Sequence, residues 1–172
     1  MAQSVFEGLK VADFTTTIAG PLATRYLAEE GATVVKVECH KYLDSVRMTG
    51  PFKDNVIAAN SSVQWVFYNV NKYSISPDLA NPRAQEIARR LVQWADVVVE
   101  NMTPESMARW GLDYKSCQQL KPDIIYLTSS ALGREGPLSS YVAWGYHLGP
   151  LVGFSHLAGW PDRRPVVDNI AY

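Results

Sequence analysis

At 172 residues, with 47% apolar and 19% charged residues, the chain suits one folded domain that buries a core without disulfide staples. A formal net charge of −1 excludes the basic footprint of a nucleic-acid or anionic-membrane binder. MAQSVFEGLK lacks a signal-peptide core, no apolar run is long enough to span a membrane, and Cys39 and Cys117 fit no metal or redox spacing, so a cytoplasmic, reducing location is expected.

In chain order, KVADF (Lys10–Phe14) reads as a buried strand. TTTIAGPLATRYLAEEG then reads as a turn and a helix, with Pro21 at the first helical position and Gly31 at the stop. ATVVKVE, ending at Glu38, is a β-branched second strand, and strand, helix and strand at this spacing make a right-handed βαβ unit. Residues 63–69 read as a helix or a buried segment, and KYSIS as a strand. The next helix is clearer: Asn81 at the N-cap, Pro82 at N1, and Ala84, Ile87, Ala88, Leu91 and Val92 at helical spacing. ADVVVEN is a fourth strand. Thr103-Pro104 opens a short helix closed by Gly111, Asp113 caps another that Pro122 ends, and DIIYLTSS is a fifth strand. This alternation predicts an α/β fold, an open parallel sheet with helices on both faces.

After Ser130 the alternation lapses. Gly145, Gly149 and Gly153 recur at four-residue intervals, which on one helix would make a flat face. The short length and His147, Ser155 and His156 argue against a membrane helix pair there. A tail without a sheet partner favours a portion of a larger protein.

Several residues have the look of a site, each with an ordinary structural reading beside it. The turn at Gly20-Pro21 offers free N–H groups and the positive end of a helix dipole, as an anion site would, and as any strand-to-helix turn does. A dinucleotide fingerprint needs more glycines than TTTIAG supplies. Glu38, placed like a ribose-binding acid, therefore reads as coincidence, and an NAD-dependent oxidoreductase is disfavoured. Asn101 ends the fourth strand, where open α/β sheets place ligands, or simply turns the chain. Arg109 suits a helix C-terminus, and Lys72 faces either a phosphate or solvent. Ser129 and Ser130 lack a G-x-S-x-G elbow, and His40, His147 and His156 have no metal spacing. The residues by themselves reach a parallel α/β protein able to take an anionic or nucleotide-like ligand, and no further.

Set in order, the segments resemble family III CoA-transferases, the group of formyl-CoA and carnitine CoA-transferases. GLKVADFTTTIAGPLATRYLAEEGATVVKVE is similar to the family's opening, which runs G-ϕ-x-V-ϕ-D-ϕ, then A-G-P, then L-x-x-x-G-A-x-V-ϕ-K-ϕ-E, with ϕ apolar. NKYSISPDL resembles its Asn-Lys-x-Ser-ϕ element, ADVVVENMTPESMARWGLDY its A-D-V-ϕ-ϕ-E-N stretch, and KPDIIYLTSSALGREGP its P-x-ϕ-ϕ-Y-x-x-ϕ-S-x-x-G-x-x-G-P segment. The resemblance implies a Rossmann-like large domain of an intertwined homodimer. Residues 1–172 would be its N-terminal part, and 138–172 a Gly-rich segment leading toward the active site. It also implies transfer of CoA from an acyl-CoA to a free carboxylic acid through an aspartyl-CoA thioester. Coenzyme A is then a substrate, with no covalently bound cofactor. A non-catalytic acyl-CoA or nucleotide-binding module is the alternative.

The family register along GWPDRRPVVDNIAY puts the nucleophilic aspartate two residues past Tyr172, with Asp168 six places too early to match it. No catalytic residue is therefore expected within the chain. The resemblance further implies that Thr17, Ile18 and Ala19 at the first turn, Asn101, Met102 and Thr103 at the fourth strand's end, Arg109, Lys72, Ser130 and Leu132 contact CoA, with a structural role for the Asn71-Lys72 pair as the alternative. Cys39 and Ala80 stand where some members carry a basic residue for the adenosine phosphate, with His40 or Lys41 as substitutes for the former.

Overall fold

The β-branched runs up to Ser129 become a five-stranded, all-parallel sheet in the computed structural model, which describes residues 4–165. The chain divides into two compact units, Met1–Ser129 and Ser130–Tyr172. In the first unit, β1 is Lys10–Phe14, β2 Thr33–Val37, β3 Tyr73–Ile75, β4 Val97–Glu100 and β5 Ile125–Thr128. Their spatial order, β3-β2-β1-β4-β5, is that of a Rossmann sheet. The chain builds outward from β1 in one direction, then crosses over and builds outward in the other. The carboxyl ends of β1 and β4 are therefore the switch point, where such sheets bind ligands.

Period-two alternation sends neighbouring side chains to opposite faces, and both faces are covered. Val11, Val34, Val97 and Val99 pack with Ala28 and Ala32 against helix α1 (Ala19–Glu29). Ala12, Phe14, Val37 and Val98 face the other way, onto α3 (Pro82–Trp94), α4 (Pro104–Arg109) and α5 (Tyr114–Leu120), through Ala88, Val92, Met107 and Cys117. Asn81 caps α3 by accepting from the Arg83 N–H at 3.0 Å, with Pro82 at N1 as expected. Asp113 caps α5 by accepting from Lys115 and Ser116. Gly31 and Gly111 adopt φ of +100° and +65°, the left-handed conformation that ends α1 and α4.

Two readings need correction, and a third is settled. Helix α1 begins at Ala19, so Pro21 is its third residue; that position also lacks an intrahelical acceptor for its N–H, so proline fits there equally well. Ile87 lies outside the buried stripe of α3, 53% exposed, while Ala84, Ala88 and Val92 are the helix's buried residues. Residues 63–69 settle as a helix, α2 (Val63–Tyr68), capped by Ser62.

Among the described residues, the second unit holds two short helices, α6 (Gly145–Leu151) and α7 (Phe154–Leu157). The three spaced glycines do not share one helix. Gly153 adopts φ +86° and separates the two, after Pro150 has removed a donor from the last turn of α6. Asp168 lies outside the described residues.

Candidate functional site

Charged residues inside apolar parallel strands are the local key to the site. Asp13 in β1 and Lys36 in β2 are both buried, so each needs a partner. Asp13 accepts from the Thr15 N–H (2.9 Å) and hydroxyl, and from the Thr24 hydroxyl at 2.7 Å. Its ionic partner is Lys72, 3.1 Å away, just before β3. The Lys72 ammonium also donates to the Pro21 carbonyl (2.8 Å) and to Asn69 (3.1 Å). Three oxygens thus take its three donors, and its side chain is 1% exposed. Burial pushes this lysine down to about 8, although Asp13 pulls it upward. Buried and bonded to the chain itself, Lys72 ties β3 to the turn that starts α1.

That turn, residues 15–17, is held on every side. The Lys36 ammonium donates to the Thr15 carbonyl at 2.8 Å. The Asn101 amide accepts from the Thr16 N–H and donates to the Thr16 carbonyl, both at 2.8 Å, which joins the ends of β1 and β4 across the switch point. Thr17 has φ +69°, a conformation that costs a β-branched residue about 1–3 kcal/mol. Its N–H donates to both carboxylate oxygens of Asp44, at 3.1 and 3.0 Å. Gly20 allows the close approach: a Cβ there would fall 2.5 Å from Thr15 Cβ and 3.3 Å from Asn101 Cγ. Among the described residues, the N–H groups of Ile18 and Ala19 at the start of α1 have no acceptor, and Ile18 supplies no side-chain cap.

Beside the turn lies a cleft of about 620 Å³, within the size range of small-molecule sites. Phe14, Val37, Leu79, Met102 and Trp110 give it apolar walls, and Tyr42 lines its mouth. Its acids are already matched: Glu38 to Arg47, Asp44 to Lys36, and Asp78 to Lys41 at 2.6 Å. Burial would raise the Glu38 carboxyl, yet the Arg47 guanidinium and the Asp44 N–H hold it below its usual value. Glu38 is thus the ion-pair partner of Arg47. Of the cations lining the cleft, Lys36 is buried and bonded, while Arg109 is exposed and has no partner among the described residues.

Of the residues expected to contact CoA, Met102 and Arg109 line this cleft. Asn101 bonds through its amide to both backbone polar groups of Thr16. Thr103 is exposed, with its hydroxyl on Ser106. Ser130 and Leu132 belong to the second unit. Cys39 and Ala80 both line the cleft. The sequence reading missed Asp13, Thr15, Thr16, Lys36 and Asp44. A charged residue within KVADF and another within TVVKV were the available signal, since neither could be buried alone.

The model of CoA-transferase family III matches residues 6–172. A succinate–glutarate CoA-transferase of Agrobacterium fabrum is 36% identical over 166 residues, covering 95% of this chain and 42% of that protein. An acetyl-CoA:oxalate CoA-transferase of Acetobacter aceti is 33% identical, with 93% and 40% covered. The fold matches the crystal structure of a CaiB/BaiF family protein from Brucella suis at a TM-score of 0.89 and 32% identity, over 98% of this chain and 44% of that one. A Mycobacterium tuberculosis protein matches at 0.82 and 28% identity, over 97% and 44%. The chain therefore spans about two fifths of the length of the curated relatives it matches. From Phe6 onward, the chain belongs to CoA-transferase family III.

Proposed function

We propose that the chain supplies the acyl-CoA-binding part of an enzyme that moves coenzyme A from an acyl-CoA to a free carboxylic acid. The observation that carries this reading is the cleft at the switch point, apolar-walled and furnished with Arg109 as its uncommitted cation. The apolar lining suits pantetheine and adenine, Arg109 suits a phosphate, and the free Ile18 and Ala19 N–H groups suit a carbonyl or anionic oxygen. Met102 and Thr103 are proposed to complete the contacts.

In the proposed reaction an aspartate carboxylate attacks the thioester carbonyl, the C–S bond breaks, and a mixed anhydride and CoA thiolate form. The thiolate then attacks the aspartyl carbonyl and expels the donor's carboxylate, leaving an aspartyl-CoA thioester. An acceptor carboxylate reverses both steps and releases the new acyl-CoA. Protein N–H donors would stabilise each tetrahedral oxyanion. The nucleophile is proposed to stand two residues beyond Tyr172, so the chain of 172 residues binds acyl-CoA without turnover. The acids named for the relatives, glutarate and oxalate, are short dicarboxylic acids, the acceptor class we propose. A cytoplasmic location and an intertwined homodimer belong to the same reading; among the described residues no helix is long and apolar enough to cross a membrane.

Cys39 offers a direct test, because its thiol lines the cleft. Saturating CoA is expected to slow alkylation of Cys39 by about tenfold, read by peptide mass spectrometry, while NADH at equal concentration leaves it unchanged. Equal rates with and without CoA would refute the reading. Hydroxylamine trapping of an aspartyl-CoA thioester on this chain would place the nucleophile within it instead.

A further inference from the structure

We propose that Asp44 is a positioning residue of the cleft: it holds the turn of residues 15–17 in the shape that forms the cleft wall, without touching the ligand. For the ligand's identity the proposal rests on the acyl-CoA reading above.

Three features carry it. Thr17 occupies a left-handed conformation, φ +69°, that a β-branched residue keeps only when its surroundings impose it. Both oxygens of Asp44 accept from the Thr17 N–H, and one also accepts from the Val46 N–H at 3.1 Å. Lys36, 3.7 Å from Asp44, donates to the Thr15 carbonyl on the other side of the turn. Both side chains of this ion pair are 1% exposed, so a donor and an acceptor, themselves fixed, grip the turn from its two ends.

Asp44 is in turn anchored from behind. Its own N–H donates to Glu38 at 3.0 Å. Glu38 takes the guanidinium of Arg47, which also donates to the Ala59 carbonyl and to Asn60, and lies 3.5 Å from the Trp65 ring centroid. The excursion between β2 and α2 thereby delivers one carboxylate to one backbone N–H. Thr15 and Thr16, the residues this grip steadies, line the cleft; Asp44 lines it too, with both oxygens committed to backbone N–H groups.

Thr17→Gly supplies the decisive background, since glycine adopts φ +69° unaided. CoA affinity is measured by calorimetry, and the conformation at position 17 by backbone chemical shifts in the ligand-free chain. Asp44→Ala is expected to weaken CoA binding by about tenfold and to move residue 17 out of the left-handed region. Asp44→Asn retains an acceptor for the Thr17 N–H and should stay within about threefold of wild type. In the Thr17→Gly background, Asp44→Ala should cost no more than about threefold, a non-additivity that a ligand contact would not produce. If Asp44→Ala fails to fold, the neutral pair Lys36→Met with Asp44→Leu is compared in the same two backgrounds. Equal losses in both backgrounds, unchanged affinity in Asp44→Ala, or a left-handed residue 17 that survives the substitution would each overturn the proposal. Failure of wild type to bind CoA would sink the ligand reading, while the hold of Asp44 on residue 17 would still stand or fall by the shifts. The two failures are distinguishable, because the shifts at position 17 are read without ligand.

Discussion

Gly20→Ala is the sharpest perturbation of the turn. The new Cβ would sit 2.5 Å from Thr15 Cβ and 2.6 Å from its Cγ2, inside the 3.4 Å where ordinary contact begins. One side must move by about 0.9 Å, the difference between 3.4 and 2.5. Thr15 has little freedom to do so: it is 2% exposed, its N–H and hydroxyl are bound to Asp13, and its carbonyl is bound to Lys36. Overpacking of this kind costs about 3 kcal/mol at the upper end. Alanine's better helix propensity returns about 1 kcal/mol at most, leaving a net loss of about 2 kcal/mol. With a urea m-value of about 2 kcal/mol/M, the midpoint should fall by about 1 M at unchanged slope. CoA affinity should fall too, since Thr15 lines the cleft. A Gly20→Ala chain as stable as wild type, or more stable, would refute the close-packing argument.

The remaining expectations concern buried charge. Lys72 titrates near 8 in the folded chain against a usual 10.5, so between those values the unfolded state holds more protons and stability rises with pH. Relative to Lys72→Met, wild type should gain up to about 3 kcal/mol between pH 8 and 10.5 in urea titrations; a flat or falling difference would contradict this. The lowered Glu38 works in the opposite range: its stabilisation is present above its ordinary 4.5 and lost as pH falls through the folded value. Arg47→Met should therefore cost about 3 kcal/mol at neutral pH, a gap that narrows below pH 4.5; a gap independent of acid would count against the pair. Burial pushes the Cys117 thiol up to about 12, so Cys39 alone should alkylate in the native chain at pH 8. Equal labelling of both thiols would show that the face around Cys117 is not closed.

What the sequence disclosed was local chemistry. Asn81-Pro82 and Asp113 announce helix starts because a short side chain reaches the next free N–H, and Gly31 and Gly111 announce stops because they accept a positive φ. The strands were legible as β-branched runs, and their alternation with helices implied a parallel sheet. The site was harder to read, because its partners are far apart in sequence. Nothing near Lys72 points to Asp13, 59 residues away, nor does anything near Asn101 point to Thr16, 85 residues away. The strand order decides both pairings. The family resemblance singled out Met102 and Arg109, which line the cleft, and also Lys72 and Asn101, whose side chains bond to the chain itself in the structure.

A calorimetric titration of CoA into the chain, beside Arg109→Ala, tests the cleft most directly. Arg109 is its exposed cation without a partner among the described residues, so a phosphate bound there should gain a charge-assisted bond of about 1.5–3 kcal/mol. We expect saturable binding to wild type, about tenfold or more weaker in Arg109→Ala, with the difference shrinking at high salt. No heat with wild type, or equal affinity in both chains, would contradict an acyl-CoA site at the ends of β1 and β4.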